Sequence, residues 1–224
     1  MIGRLPLAPL EPCQSCRSPC CVGRVVYLSS LDVYRIASVV GLDWTDFSFS
    51  HPTTEGGFLA DIELGRMTHR VRLRHTYEGA CLLAVVTPEG TLRCGVASLR
   101  PGACRMYPYN VQLFAQQPYM VAIGNNAACP SFGTRWFQQN IDPLGDEIDA
   151  AVADAALAAW VEARWNALID KTPPPVEIGS YFRWAWEVYS RIGAPNEPER
   201  GSWQLSAYRQ INAFDLSLLP TEAT

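Results

Sequence analysis

The sequence predicts an α+β fold: a small cysteine-rich domain of loops, short strands and helices, with an α-helical C-terminal extension. Three observations predict it. All eight cysteines fall between Cys13 and Cys129. Residues 58–77 alternate as paired strands do, and residues 81–94 read as a hairpin around a Pro-Glu-Gly turn. Residues 146–171 form an alanine-rich run with no helix breaker. A chain of 224 residues accommodates one domain with an appendage or two small ones. The change of character sets the boundary, with 1–140 as the cysteine-rich domain and 141–224 as the helical extension packed on it.

Residues 1–12 hold three prolines and are expected to form an extended arm. Cys13-Gln-Ser-Cys16-Arg-Ser-Pro-Cys20-Cys21 reads as a tight loop, and residues 22–28 as a short strand. Ser29 or Ser30 caps a helix over 31–40, in which Leu31, Tyr34 and Ala37 recur at helical spacing, and Gly41 ends it. Residues 42–57 read as loop, with a short helix near 44–49. Two strands follow, 58–64 and 69–75, turned at Gly65. Residues 81–94 form a hairpin around Pro88-Glu89-Gly90, which draws Cys81 and Cys94 together at its open end. A further hairpin joins 109–114 to 119–123.

The extension begins with a helix over 146–171. Leu157, Val161, Trp165 and Leu168 make one stripe, and Ile148, Val152, Ala155 and Ala159 another, so packing on two sides is expected. Pro173-Pro174-Pro175 ends it. A second helix spans 178–192 with Tyr181, Phe182, Trp184, Trp186 and Tyr189, and a shorter third follows Ser202. These aromatic helices read as core, ahead of an exposed surface for a protein partner.

Composition excludes some classes of function. The chain is 48% hydrophobic and 18% charged with a net charge of -4, so no global basic field speaks for nucleic acid. Residues 66–74 are locally basic, but Arg70, Arg72 and Arg74 alternate with Val71 and Leu73 and read as one solvated strand face. The N-terminal residues lack the apolar run of an export signal, and no stretch reaches the roughly 18 apolar residues of a membrane span. The expected location is the cytoplasm, where eight cysteines serve as metal ligands more often than as disulfides.

Cys-x2-Cys in a loop suits chelation, because the short turn directs both sulfurs inward and its amides donate to them. Cys13 and Cys16 have that spacing, and Cys20 and Cys21 follow at once. Adjacent side chains diverge, so this pair fits two sites or two corners of a cluster better than one ion. With Cys81, Cys94, Cys104 and Cys129 the thiols number eight, enough for two four-thiolate sites. The cysteine-rich domain is therefore expected to be metal-binding. Disulfides and inert buried thiols are the bland alternatives. His51, His69 and His75 share no ligand spacing and read as surface or loop residues. Arg100 and Arg105 have two readings. Either they bind carbonyls or carboxylates in a turn, or they offset the net charge, around -2, of a four-thiolate centre.

The N-terminal cluster, Gly79-Ala80-Cys81-Leu82-Leu83, the block Cys94-x-Val96-x-x-x-Arg100-Pro101-x-x-Cys104-Arg105-x-Tyr107-Pro108 and the late Cys129 together resemble the YkgJ-type, or CxxCxxCC, cysteine-cluster family. The resemblance covers about residues 13–130, and Arg-Pro-x-x-Cys-Arg is its most specific part. Three residues rather than two separate Cys16 from Cys20, and Ala97 stands where the family has tyrosine; neither departure removes a ligand. Family members are described as zinc- or iron-chelating. The resemblance implies metal ions held by Cys13, Cys16, Cys20, Cys21, Cys81, Cys94, Cys104 and Cys129. The family also contains flagellin lysine N-methylase, associated with an iron–sulfur cluster. That link favours a 4Fe-4S cluster over zinc and raises a lysine N-methylase-like enzyme as one rival, beside a structural-zinc scaffold module. The residues themselves support methyl transfer poorly. They contain neither a glycine-rich strand–helix loop for S-adenosylmethionine nor the Cys-x3-Cys-x2-Cys signature of radical enzymes.

Overall fold

Alternation along Arg70-Val71-Arg72-Leu73 sends Val71 and Leu73 to one side of a strand and the arginines to the other, and the main sheet is built on that strand. The computed structural model describes residues 21–54, 61–65, 67–105, 107, 109–114, 117–122, 141–169 and 176–193. Its first elements are β1 (Tyr27–Leu28), α1 (Ser30–Val40), α2 (Trp44–Phe47), β2 (Ser48–Thr53), β3 (Ile62–Leu64) and β4 (Met67–Leu73). Strand β4 is central. All of β2 pairs antiparallel along one edge, and β1 and β3 share the other edge end to end. Gly65, at φ 70°, makes the turn between β3 and β4. Val71, Leu73, Leu28, Ile62 and Ser48 line the buried face.

The cysteine-bearing part follows as β5 (Ala84–Val86), β6 (Leu92–Cys94) and α3 (Gly102–Arg105), then the hairpin β7 (Tyr109–Phe114) and β8 (Gln117–Ala122). Helices α4 (Ile141–Ile169) and α5 (Ile178–Arg191) complete the described chain. This architecture is α+β, with antiparallel strands and segregated helices. No helix among the described residues is long and apolar enough to cross a membrane.

Helix α1 starts on a capping box. The Ser29 hydroxyl accepts from the Asp32 amide, and the Asp32 carboxylate accepts from the Ser29 amide at 3.0 Å. Gly41 in the left-handed region ends the helix. Leu31, Val33, Ile36 and Ala37 are buried beneath the sheet and the C-terminal helices, in one continuous core. Helix α5 adds Tyr181, Phe182, Trp184, Val188 and Tyr189 to that core, as its spacing predicts. Helix α4 clamps β3: the Asn166 side chain donates to the Asp61 carbonyl and accepts from the Glu63 amide, and the Trp165 indole donates to the Glu63 carbonyl at 2.9 Å.

Four expectations change. Residues 48–53 form strand β2 rather than loop; Pro52 hides the signal, yet it sits on an edge strand where no ladder donor is needed. The predicted strand over 22–28 shortens to β1, with Val22 instead bridging Ala80. The arginine face of β4 is not simply solvated. Arg70 pairs with Asp61 at 2.7 Å, and Arg72 lies between Tyr27 and Phe49 with its guanidinium carbon 5.8 and 5.6 Å from the ring centres. Packing of α4 is one-sided where side chains are described: Leu157, Ala158, Val161, Trp165 and Ile169 are buried, whereas Ala155 is exposed and Leu168 half-buried. The arm at 1–12, the loop before Cys21 and the third helix after Ser202 lie outside the described residues.

One polar group is sealed inside the helical layer. Ser30 Oγ sits 3.3 Å from Glu162 and 2.7 Å from the Tyr189 hydroxyl, so Tyr189 donates to Ser30 while Ser30 donates to Glu162. Burial pushes the Glu162 carboxyl up to about 8, against the lowering effect of Ser30. The folded state thus holds a proton that the unfolded chain releases above the ordinary range near 4.5. Its stabilising contribution is complete below that value and is lost as pH rises towards about 8. Urea unfolding at pH 5 and pH 8 should therefore show the parent losing a few kcal/mol (~1.4 per pKa unit), and Glu162→Gln losing much less.

Candidate metal centre

Four of the predicted ligands, Cys21, Cys81, Cys94 and Cys104, lie in described residues; backbone hydrogen bonds bring the first three segments together and side-chain bonds bring in the fourth. Gly23 and Gly79 both take positive φ, 70° and 82°, which lets the two segments run against each other. The Gly23 amide donates to the Gly79 carbonyl at 2.8 Å, and the Cys81 amide to the Cys21 carbonyl at 2.7 Å. Cys21 and Cys81 are thereby strapped side by side. His75 bridges Cys81 through a further isolated pair, which places this histidine beside the cysteines.

The β5–β6 hairpin brings in the third cysteine. Its turn closes with Thr87 and Thr91 bonded to each other and Gly90 at φ 77°. Ala84 pairs with Cys94, and the Ala84 amide donates to the Cys81 carbonyl at 3.0 Å, so Cys81 and Cys94 meet at the open end as expected. Gly95 leaves the hairpin where a Cβ would meet the Leu83 carbonyl and a Val85 methyl, each at 2.9 Å. Only glycine fits there without displacing the segment after Cys94.

Cys104 arrives on α3, after the Arg100-Pro101 turn. The Gly102 amide donates to Asp32 Oδ1 at 3.1 Å, so the residue that caps α1 also anchors the turn that carries Cys104. Burial raises the Asp32 carboxyl, while Arg105 and the Ser29 amide pull it back down. Arg100 Nε donates to the Ala97 carbonyl at 3.2 Å. Arg105 reaches Asp154 of α4 at 2.6 Å, and Arg35 of α1 grips the same carboxylate with two bonds of 2.6 and 2.9 Å. Arg35, Arg105 and Asp154 have side chains no more than 10% exposed. Of the two readings of Arg100 and Arg105, the contacts described here are of the turn-holding kind.

The cation within electrostatic reach of the Cys104 sulfur is Arg24. Burial pushes the Cys104 thiol up to about 12, with the Arg24 charge working against it and Cys94 and Cys81 adding to it. Those four groups therefore share one electrostatic neighbourhood, and Cys81, Cys94 and Cys104 all pack on the edge of the core. Such a sulfur loses its proton only to a strong positive charge, which a metal ion supplies. The donors are soft, partly buried and drawn from separate segments, and their chemistry fits zinc or an iron–sulfur cluster. Among the described residues, no three Cys, His, Asp or Glu side chains already stand at the spacing of a metal shell. Cys13, Cys16, Cys20 and Cys129 lie outside the described residues.

Arg24, Asp32, Arg35 and Asp154 carry no motif that marks them in the sequence. The capping pattern Ser29-x-x-Asp32 points to a helix start and says nothing of Gly102. Comparison with family models, with curated proteins and with solved structures finds no match to this chain.

Two outcomes follow for stability. Asp154→Ala removes the carboxylate that two buried guanidinium groups share and should cost about 3–5 kcal/mol. Asp43, the exposed N-cap of α2 whose carboxylate accepts from the Thr45 amide at 2.8 Å, should cost about 1 kcal/mol when replaced by alanine. Chemical denaturation of both variants measures the contrast. Gly95→Ala should cost about 1–3 kcal/mol through overpacking, whereas Gly102→Ala, where a Cβ meets nothing within 4 Å, should be nearly silent.

Proposed function

We propose that this chain is a cysteine-cluster metalloprotein that binds iron–sulfur, or else zinc or iron, through cysteine thiolates. One observation carries the reading. Cys21, Cys81, Cys94 and Cys104 come from four separate segments that approach one corner of the fold, the first three through backbone hydrogen bonds and the last through the bonds of Gly102 to Asp32 and of Arg24 to Ala103. Hydrophobic packing alone gives no reason for sulfur at all four positions. The resemblance to the CxxCxxCC family supports the same reading and favours a 4Fe-4S cluster over zinc, with Cys13, Cys16, Cys20 and Cys129 as the remaining ligands. A cytoplasmic setting, reducing enough to keep the thiols available, belongs to the proposal.

The test is metal analysis with an absorption spectrum on protein purified without oxygen from its own host. Iron with sulfide and a brown colour is expected, and a colourless protein with stoichiometric zinc would move the assignment to zinc. Denatured, chelator-treated but unreduced protein should titrate close to eight thiols; a count near zero would mean disulfides and end the metal reading. Removing the metal should also loosen the cysteine-rich part, since ligands this far apart in sequence are tied together through it.

A further inference from the structure

Arg24 lies three residues beyond Cys21, just after the Gly23 strap. Its guanidinium is held from the opposite side by the Cys104 block. Nη2 donates to the carbonyl of Ala103 at 3.0 Å, and the guanidinium carbon stands 4.2 Å from the centre of the Tyr107 ring. The side chain thus spans from the Cys21 segment to the Cys104 segment. Nη1 is buried and has no hydrogen-bond partner. Among the described residues Arg24 makes no ion pair, and its positive charge stands within electrostatic reach of Cys104.

A purely structural role accounts for Nη2 and for the ring contact. It leaves Nη1 unexplained, because a buried donor without an acceptor is costly even on an arginine that is otherwise half-buried. The other nearby arginines are already engaged, Arg105 on Asp154 and Arg100 on the Ala97 carbonyl. An anionic sulfur centre supplies what Arg24 lacks. Four thiolates around a divalent ion, or around an oxidised four-iron cluster, carry a net charge of about -2.

We propose that Arg24 is the counter-cation of the cysteine-held centre, with Nη1 as its hydrogen-bond donor, and that this centre is anionic. The inference rests on the metal reading above and adds to it the sign of the charge and the residue that balances it. Arg24 is a positioning residue, not a ligand: it lowers the energy of the charged sulfurs and slows loss of the metal.

The experiment compares metal release to excess chelator from the parent, Arg24→Gln, Arg24→Lys and the exposed α5 control Arg183→Gln. Circular dichroism checks the fold of each. Arg24→Gln should release metal at least about tenfold faster, in the range typical of lost outer-sphere partners, and Arg183→Gln should match the parent. Arg24→Lys keeps the charge without the planar fork and should fall between the two. If the cluster is iron–sulfur, its reduction potential should drop in Arg24→Gln, a shift that a merely structural role would not produce. A parent without metal would refute the underlying metal reading. A parent that holds metal beside an Arg24→Gln chain with the parent's release rate would overturn this inference alone. Should Arg24→Gln fail to fold, Arg24→Lys decides: release at the parent's rate would overturn the donor role of Nη1.

Discussion

The carboxylate of Asp154 is the constraint on which the arrangement depends. It takes two bonds from Arg35 and one from Arg105, and so ties α1, α4 and the turn bearing Cys104 into one body. Asp32 completes the set from the other side by accepting from Gly102. Two arginines and two aspartates make the quartet electrically neutral, which is the condition under which buried ions are tolerated. Its worth lies less in net stability than in register: the bidentate Arg35 fork accepts one orientation of Asp154. Cys104 inherits its position from that orientation.

Backbone geometry performs the same task for the other three cysteines. Glycines at positive φ allow the Cys21 and Cys81 segments to run side by side, and a short hairpin folds Cys94 back towards Cys81. The entropy of closing these loops is met by hydrogen bonds and by the core beneath Leu83, Val96 and Leu99, before any metal contributes. A corner at which thiols from separate segments approach one another results.

Much of the fold was legible in the sequence because its signals are local. Ser29 and Gly41 bracket α1, Gly65 turns β3 into β4, and Pro88-Glu89-Gly90 turns the cysteine hairpin. Strand β2 was hidden because proline and serine weaken its alternation, and only its pairing with β4 makes it a strand. The candidate site was legible as a set of cysteines and illegible as a network. Asp154 is one acidic residue in an alanine-rich helix, and nothing in that helix points fifty residues back to Arg105. Partners so distant follow from the packing of α4 on α1, which no local pattern encodes. Glu162 escaped notice for the same reason: it reads as a surface residue until α5 covers it.

The distribution of charge around the corner separates scaffold from site. Arg35 and Arg105 share Asp154 and Arg70 has Asp61, whereas Arg72 rests between the Tyr27 and Phe49 rings and Arg74 donates to the Ser48 carbonyl. Arg24 has no carboxylate partner among the described residues, and it stands within electrostatic reach of Cys104. Sulfur is the group at this corner able to become negative in large measure, and it becomes so when it gives its proton to solvent and its lone pair to a metal. A thiolate centre held by these cysteines, as proposed above, would carry about -2, and the single charge of Arg24 would offset part of it.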